Sequence, residues 1–503
     1  MAVRDISAVT LCLAIVVCLS LTSVASEASL ENDVNSGWGT ATLIETNNSG
    51  SAAPPQVAVD GSGNATAVWV QNDGIRKNIW SSRYVVGTGW GIATLIETGS
   101  SERSQSPQIA VDDSGNATAV WVQYDGIRNN ICSNRYVVGT GWGIATLIET
   151  NNSGFAYNPQ VAVDGLGDAI AVWFQYDGTG STIWSNRYVV GTGWGIATLI
   201  ETDDTGDASY PQVAVDGSGN ATAVWVQNDG IRNNIWSNRY VVGTGWEIAT
   251  LVETNNSGSA ASPQIAVDTS GNATAVWVQN DGIRNSIWSN RYVVGTGWGI
   301  ATLIETNNSG GATSSQVAVD DSGNAIAVWR QYDNTGSNIW SNRYVVGTGW
   351  GIATLIETGS GSAGSPQVAV DGSGNAIAVW YQSDGTRYNI WSNRYVIGTG
   401  WGIATLIETD DTGDASYPRV AIDASGNAIA VWSQCNDTGD YNIWSNRYAE
   451  QDTTPSSLTS TIAVFVILAV VASIIIFSFF WLRKKTADRS SKTIEDEEPP
   501  PLS

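Results

Sequence analysis

The sequence predicts an all-β repeat protein, and three observations support this prediction. First, a block of about 52 residues is written eight times in succession. Second, each block holds short runs of β-branched and aromatic residues bounded by Gly, Asn and Asp, the pattern of strands joined by tight turns. Third, no segment between residues 37 and 448 has helical periodicity. One tryptophan opens each block, at Trp38, Trp90, Trp142, Trp194, Trp246, Trp298, Trp350 and Trp401. Such a period indicates one supersecondary unit used many times.

Each block is predicted to contain four antiparallel strands. In the first block these are residues 56–60, 64–71, 78–86 and 90–98. Glycines at 61–63 and 87–89 provide the tight turns. The first two runs are apolar on both faces, as strands packed between neighbouring sheets are, so the first is placed innermost and the fourth outermost. Four strands in about 50 residues is the size of one β-propeller blade, and eight copies predict an eight-bladed propeller.

The phase of the repeat predicts how the ring closes. The array of residues 37–448 begins with a fourth-type strand and ends with a third-type strand. Pairing 40–46 with 442–448 makes segment 37–46 the closing strand of blade 8, and this leaves no open sheet edge. An open solenoid would need polar capping repeats at both ends, and the sequence has none.

With these repeats the chain resembles prokaryotic cell-surface β-propeller repeat proteins, and more loosely the sialidase-type propellers with their Asp-box. The hairpin from Ala58 to Trp69 carries the similarity to the Asp-box motif S-x-D-x-G-x-T-W, but three residues separate Asp from Gly and six separate Gly from Trp. The blades also lack the tryptophan-docking pattern of quinoprotein dehydrogenases. The resemblance implies the architecture and a surface location, and neither enzymatic activity is carried over.

The two ends of the chain predict a plasma-membrane protein that spans the membrane once. Residues 1–26 read as a secretory signal peptide. Residues 461–482 form an apolar run long enough to span a bilayer, and the basic residues 483–485 place the C-terminus in the cytoplasm. A stalk, 449–460, joins the ectodomain to the span, and 483–503 form a short cytoplasmic tail with acidic and Pro-rich segments. N-x-[ST] sequons, which an exported chain could use as glycan sites, recur in the repeats, as at Asn47, Asn64, Asn116, Asn151, Asn220, Asn255 and Asn272.

Composition excludes several functions. The chain has no histidine, which removes Ser-His-Asp catalysis, histidine zinc sites and imidazole acid–base chemistry. A net charge of −24 disfavours nucleic acid as a partner. The arginines of the third strands and the glutamates of the L-[IV]-E-T segments recur in every block, so we expect them to pair across strands rather than to form one catalytic site. We therefore predict no enzymatic activity, no catalytic residues and no organic cofactor.

The tryptophans and the D-x-x-G-[ND]-A turns are interpreted as structural. A tryptophan at the same strand position in every block indicates packing between blades. In the first turn, Asp60 and Asn64 are expected to bond their own backbone rather than a calcium ion. Cys132 and Cys435 lie in blades that are not neighbours, so a disulfide between them is not expected.

Sequence differences between the blocks predict where a ligand binds. They collect in the connection before each first strand and in the turn between the second and third strands, which alternating strand direction places on one face. Candidate ligand-binding turns surround Asp73, Asp125, Asp177, Asp229, Asp281, Asp333, Asp384 and Asp437. The favoured hypothesis is an adhesion or recognition module for a glycan or a surface protein. The alternatives are a structural envelope protein and, less favoured, a sialidase-like hydrolase or lyase.

Two connections are candidate calcium loops. The segment Asp-Asp-Thr-Gly-Asp precedes the first strands of blades 4 and 8, and carboxylates this close are stabilised by a hard cation. The candidate Ca²⁺ ligands are Asp203, Asp204, Asp207, Asp410, Asp411 and Asp414. The competing interpretation is a pair of solvated acidic loops.

Overall fold

A computed structural model describes most of the repeat region. The described residues are 37–46, 50–98, 103–150, 154–176, 178–202, 206–254, 258–306, 310–333, 336–410 and 412–450, with Ile476, Phe480, Trp481 and Arg483. All strands lie in a compact unit that ends at Glu450, and residues from Gln451 onward form a second unit. Within the described residues no helix is both long and apolar enough to cross a membrane. The predicted signal peptide lies outside the described residues, as do most of the predicted stalk, span and cytoplasmic tail. Ala449, predicted as the first stalk residue, instead ends the last third strand.

Three long strands per repeat form the body of each sheet, which we call a blade. The first strands are Gln56–Val59, Arg103–Val111, Phe155–Val163, Ala208–Val215, Ala260–Val267, Ala312–Val319, Ala363–Val370 and Ala415–Ile422. The second strands are Ala65–Asn72, Ala117–Tyr124, Ala169–Tyr176, Ala221–Asn228, Ala273–Asn280, Ala325–Tyr332, Ala376–Ser383 and Ala428–Cys435. The third strands are Lys77–Val85, Asn129–Val137, Ser181–Val189, Asn233–Val241, Asn285–Val293, Ser337–Val345, Tyr388–Val396 and Tyr441–Ala449. Neighbouring strands within a blade are antiparallel.

The fourth strand differs from the prediction, because it consists of two short segments. The pairs are Gly37–Trp38 with Thr42–Leu43, Gly89–Trp90 with Thr94–Leu95, Gly141–Trp142 with Thr146–Leu147, Gly193–Trp194 with Thr198–Leu199, Gly245–Trp246 with Thr250–Leu251, Gly297–Trp298 with Thr302–Leu303, Gly349–Trp350 with Thr354–Leu355, and Gly400–Trp401 with Thr405–Leu406. Between the segments the backbone turns to the neighbouring blade: the Ala93 N–H donates to Thr46 Oγ1 at 3.3 Å. A backbone N–H that donates to another blade is not available for pairing with the third strand of its own blade, so the strand is interrupted there.

The blades form a closed cycle of contacts. Each first strand contacts the first strands of both neighbouring blades, and the first strand of blade 8 contacts that of blade 1. Blade 8 is completed by the N-terminal segments, since Trp38 pairs with Tyr448 and Leu43 with Trp444. These partners lie within the range 442–448 from which closure was predicted. The repeated four-stranded sheets are therefore consistent with a β-propeller.

Tryptophan packing holds adjacent blades together, as predicted. Trp225 of blade 4 has no solvent exposure and packs with Val172, Ile183 and Ile200 of blade 3. At the point of closure, Trp69 of blade 1 packs in the same way against residues of blade 8. Fully burying a smaller apolar side chain such as Leu or Phe stabilises a fold by about 1.5–3 kcal/mol, and tryptophan buries more surface than these. Each blade thus depends on its neighbours for its core.

The arginines of the third strands do not have the partners predicted for them. In blade 1, Arg83 pairs with Asp60 at 3.5 Å and lies over the ring of Tyr136 of blade 2, 4.8 Å from its centroid. The same stacking of an arginine on a tyrosine of the next blade recurs around the cycle, ending with Arg447 over Tyr84. The expected arginine–glutamate pairing is therefore wrong, because the arginine side chain turns towards the D-x-x-G-N turn and the next blade. Its role is nevertheless structural in every blade.

Candidate functional site

The turns that do not vary between blades lie together on one rim, which we call the invariant rim. Asp60 Oδ1 accepts hydrogen bonds from the backbone N–H groups of Ser62 and Asn64, both at 2.9 Å, and Asn64 Oδ1 accepts one from Val86 at 3.1 Å. The predicted turn is thus confirmed, and both side chains are occupied by the fold. The sequon asparagines Asn64, Asn116, Asn220 and Asn272 all occupy this bonded position.

The segments that vary between blades meet on the other rim, the variable rim, which comprises the connections before the first strands and the turns between second and third strands. In blade 4 the connection residue Asp207 accepts a hydrogen bond from the N–H of Ser181, which begins the third strand of blade 3. Between blades 8 and 1 the N–H of Tyr441 makes the corresponding contact with Ser51 Oγ at 3.3 Å, and the Ser51 hydroxyl donates to Asp440. Connection and turn of adjacent blades therefore form one continuous surface.

The aspartates of the candidate ligand-binding turns mainly cap their own turns. Asp229 Oδ1 accepts the N–H groups of Ile231 and Arg232, and these bonds, that from Arg232 above all, lower the pKa of Asp229 to about 2. The equivalent carboxylates Asp73, Asp125, Asp281, Asp333 and Asp384 also cap their turns. Asp177 lies outside the described residues. The aspartates thus fix the shape of these turns.

Asp437 is not the residue that caps the candidate turn of blade 8. In blade 8 the capping residue is Asn436, whose Oδ1 accepts the N–H groups of Thr438 and Asp440. Asp437 follows it by one position, in a turn that is longer than the others. Asn replaces Asp at the capping position of this turn, where either side chain can cap.

The tips of four turns expose a large apolar side chain. Ile75, Ile127, Ile231 and Ile283 have 71–90% of their surface exposed, and an arginine follows each of them. Blades 3, 6, 7 and 8 have other residues at these tips. The sequence analysis identified these turns by their aspartates and missed the isoleucines. The sequence does show an isoleucine in these turns in only four of the eight blocks, and this difference could have marked them.

The innermost strands break the symmetry of the repeat at a few positions. Seven blades have Gln where blade 8 has Arg419, which donates from Nε to Gln56 Oε1 of blade 1 at 3.1 Å. Part of this side chain is accessible, yet protein surrounds it densely, and the resulting desolvation lowers the pKa of Arg419 to about 10. Arg419 is therefore still cationic at neutral pH. Such single-position differences inside otherwise invariant strands are what the sequence analysis overlooked.

Two exposed tyrosines occupy a strained backbone position on these strands. The bulge in the first strand places one residue in the left-handed region: Ser106, Asn158, Ser262, Ser314 and Ser365 in five blades. In blades 4 and 8 this residue is Tyr210 or Tyr417, with φ of 52° and 53° and 59% and 50% of the side-chain surface exposed. A bulky residue in this region is a backbone outlier, which is more often found at binding sites.

The predicted calcium ligands are only partly described. Asp203, Asp204 and Asp411 lie outside the described residues. Of the others, Asp207 and Asp414 each accept a backbone N–H, from Ser181 and Tyr388, through Oδ1. No group of three or more His, Cys, Asp or Glu side chains suited to a metal ion occurs in the part of the chain that the structure describes.

The two described cysteines are separate free thiols, as expected. Cys132 replaces the third-strand tryptophan of other blades, and burial, together with the nearby charges of Glu97 and Glu149, raises its pKa to about 12. A thiol with this pKa is protonated at neutral pH and is a poor nucleophile.

Shallow clefts lie between neighbouring blades on their outer side. The cleft between blades 3 and 4 has a volume of about 390 Å³ and is lined in part by Arg187, Tyr240 and Trp246. Equivalent clefts occur at the boundaries of blades 2 and 3 and of blades 4 and 5. Glu247 reaches two of them, at a position that is Gly in the other blades.

Comparison with known proteins shows low-identity structural similarity and no specific function. No protein-family model matches the sequence, and no curated protein sequence matches it. A leech intramolecular trans-sialidase is similar at 10% identity over 82% of this chain and 94% of that chain, with a TM-score of 0.39. An ulvan lyase is similar at 10% identity over 80% of this chain and 94% of that chain, with a TM-score of 0.46. The fucoside-bound lectin of Aleuria aurantia is similar at 14% identity over 62% of this chain and 96% of that chain, with a TM-score of 0.35. The chain is thus similar to β-propeller sialidases, lyases and a lectin at low identity.

Proposed function

We propose that this chain is a cell-surface protein anchored by one membrane span, with an eight-bladed β-propeller ectodomain that binds a glycan or a surface protein through its variable rim. One observation carries the proposal: near-identical blades differ mainly where connections and turns meet on a single rim. Loops positioned by a rigid scaffold are where binding residues usually occur. The exposed isoleucines, the two strained tyrosines and Arg419 supply asymmetric apolar, aromatic and cationic groups.

The ends of the chain support the location. The apolar residues 461–482 and the basic residues after them are consistent with a single span and a cytoplasmic tail, and residues 1–26 are consistent with an export signal. The acidic ectodomain favours partners that are neutral or basic.

A glycan array tests this function. The soluble fragment 27–455, which includes every described strand, is expected to bind a restricted set of glycans. Ile231→Asp should weaken that binding because it charges a turn tip on the variable rim. The matched control is Ile248→Asp, which changes an isoleucine of similar exposure on the outer segment of a blade. Equal effects of the two substitutions would place the ligand elsewhere.

A structural role is the second candidate, because apolar side chains are also exposed on the outer segments of the blades. Ile92 and Leu95 have 85% and 45% of their surface exposed, and the same two residues occur at the equivalent positions of blades 2 to 7. A repeated apolar surface suits association between neighbouring copies. Sedimentation analysis of the ectodomain would favour this candidate if self-association occurs and Ile248→Asp reduces it.

We also propose that the chain is not an enzyme. The arginines that a sialidase-like site would need are stacked on tyrosines of neighbouring blades, and there is no histidine. Hydrolysis of a fluorogenic sialoside that depends on a single residue of the variable rim would contradict this proposal.

Weak Ca²⁺ binding at the two acidic connections stays a prediction. Asp207 and Asp414 retain a second carboxylate oxygen beyond the one that accepts a backbone N–H. Calorimetry on the ectodomain should detect heat at millimolar Ca²⁺, reduced by Asp204→Asn and Asp411→Asn. Absence of heat, or heat unchanged in these variants, would exclude the site.

A further inference from the structure

Two positions at the variable-rim end of the blades change together. One is the third residue from the end of each second strand, which is aromatic only in blades 3 and 7, as Phe174 and Tyr381. The other is the bulge position of the following first strand, which is tyrosine only in blades 4 and 8, as Tyr210 and Tyr417. At the other boundaries the first position is Val, Arg or Ser, and the second is Ser, Asn or Pro. Aromatic pairs therefore occur at two boundaries, four blades apart.

At the boundary of blades 3 and 4, three aromatic rings lie in contact. Tyr157 stacks on Phe174, with 5.5 Å between the ring centroids and 28° between the planes. The ring centroid of Tyr210 lies 6.5 Å from that of Phe174. Phe174 also packs against the core between these two blades, which holds the group in place. Because Tyr210 is more than half exposed, the group presents a fixed aromatic surface to solvent.

The boundary of blades 7 and 8 has a related group. Tyr381 packs against the core between these blades and makes an edge contact with Tyr388, with 5.1 Å between the ring centroids. Gly364 occupies the position of Tyr157, and a side chain there would meet the ring of Tyr381. Tyr388 and Tyr417 are both exposed. The two boundaries thus build exposed aromatic groups with different third members.

Stability does not account for the two bulge tyrosines. The left-handed conformation of a residue other than glycine costs about 1–3 kcal/mol, and residues held in this way cluster at ligand-binding sites. Tyr210 and Tyr417 are at least half exposed, so burial offsets little of that cost. Five blades have Ser or Asn at this position, and they form the same bulge without an aromatic ring.

A carboxylate accompanies each aromatic group. Asp207 and Asp414 lie three residues before the bulge tyrosines, and each accepts through Oδ1 a backbone N–H from the third strand of the preceding blade. The second carboxylate oxygen can accept a hydroxyl group from a ligand. These charges, in a chain with a net charge of −24, favour a neutral ligand over an anionic one.

The size of the aromatic groups favours a sugar over a protein. Three aromatic side chains have about 450–750 Å² of surface in total, and here only part of it is exposed. A standard protein–protein interface takes about 800 Å² from each partner. The apolar C–H face of one pyranose ring matches an aromatic ring in size, and stacking removes both surfaces from water.

We propose that each of these two boundaries binds a neutral pyranose ring of a glycan, which stacks on the aromatic group, with Asp207 or Asp414 as the acceptor for a sugar hydroxyl. Tyr210 and Tyr417 are the residues on which stacking depends. The inference rests on the proposed function, because both groups lie at the variable rim, and it specifies the ligand as a neutral glycan.

The test is calorimetry on the full-length chain in micelles of a detergent without sugar groups. The probes are cellohexaose and mannohexaose, and each is compared with the hexamer whose C6 hydroxyl groups have been oxidised to carboxylates. At least one neutral hexamer should bind, and its oxidised counterpart should bind at least about tenfold more weakly because the site is acidic.

Matched double variants assign the binding to the tyrosines. Tyr210→Ser with Tyr417→Ser introduces the residue that most other blades have, so it should preserve the fold and weaken binding at least about tenfold. Tyr124→Asn with Tyr332→Asn is the control: it removes two other tyrosines of the second strands, also four blades apart, at a position where three blades have Asn. The control should bind as the wild type does.

Four results would overturn the inference: no binding of either neutral hexamer at about 10 mM, equal binding of the oxidised hexamer, unchanged binding by the serine variant, or an equal loss in the control. Binding of a decaproline peptide in place of the hexamers, abolished in the serine variant, would assign the rings to a protein partner and would also overturn it. If glycan-array binding persists in any of these cases, the proposed function stands without the stacking sites.

Discussion

At the scale of single residues, one carboxylate organises each turn of the invariant rim. Asp216 is 4% exposed; its Oδ1 accepts two backbone N–H groups of its own turn, and its Oδ2 accepts the side-chain N–H of Asn220. It also pairs with Arg239 at 3.8 Å. Arg239 donates in turn to the carbonyl oxygen of Gly271 in the next blade. The turn is therefore connected to blade packing through one arginine.

Asp216→Ala is expected to reduce the free energy of unfolding by about 2–4 kcal/mol, because it leaves turn donors unpaired and a largely buried Arg239 without its anion. Urea unfolding of the ectodomain measures this loss. Asp113→Ala provides the control, since Asp113 is an exposed residue of an equivalent turn, and its loss should change stability by less than about 0.5 kcal/mol. Similar losses in the two variants would contradict this role for the buried carboxylate.

Glu357 predicts a pH dependence of stability. Folding raises its pKa from an ordinary 4.5 to about 7. The stabilisation from its neutral form is therefore fully present below pH 4.5 and is lost as the pH rises to about 7. Glu357→Gln should remove most of that decline, which is at most about 3 kcal/mol because a pKa shift of one unit corresponds to about 1.4 kcal/mol.

The measurement is the urea unfolding free energy at pH 4.5, 6 and 7.5. Asp333→Asn should give an intermediate slope, because it removes a negative charge that raises the Glu357 pKa and retains an oxygen to cap the turn. An identical slope in the wild type and in Glu357→Gln would show that the carboxyl group is not buried in neutral form.

At the scale of strands, sequence patterns predicted the three long strands of each blade and missed the division of the fourth. The long strands follow from runs of apolar residues between turn residues, which is local information. The interruption depends on a hydrogen bond from Ala93 to Thr46 of the preceding blade. A donor that turns towards another blade cannot be identified from periodicity within one strand.

Removal of residues 37–46 is expected to destabilise the ectodomain strongly. The deletion removes the segments paired with the last third strand and the side chain of Ile44, which is 1% exposed in the core between blades 8 and 1. It also creates an open sheet edge that promotes aggregation. Thermal unfolding and light scattering measure both effects. The control is removal of 27–35, which precedes the first strand and should not lower the melting temperature; an equally stable 37–46 deletion would contradict closure by this segment.

At the scale of the whole molecule, the repeat made the architecture predictable and concealed the asymmetric positions. Eight near-identical blocks define the sheets and the core tryptophans, because each position is supported many times over. The same identity directs attention away from Arg419, which occurs in one blade, and from Tyr210 and Tyr417, which occur in two. The partners of the third-strand arginines were mistaken for a further reason: the tyrosines on which they stack belong to neighbouring blades.

The central claim is that differences between the blades on the variable rim create the binding surface. It is tested most directly by a rim-uniform variant, in which the turns between second and third strands of blades 3, 6, 7 and 8 are replaced by the Asp73–Lys77 turn of blade 1. The glycan array should then show loss of the wild-type binding pattern, while circular dichroism and thermal unfolding remain close to those of the wild type. An unchanged array pattern in this folded variant would contradict the account.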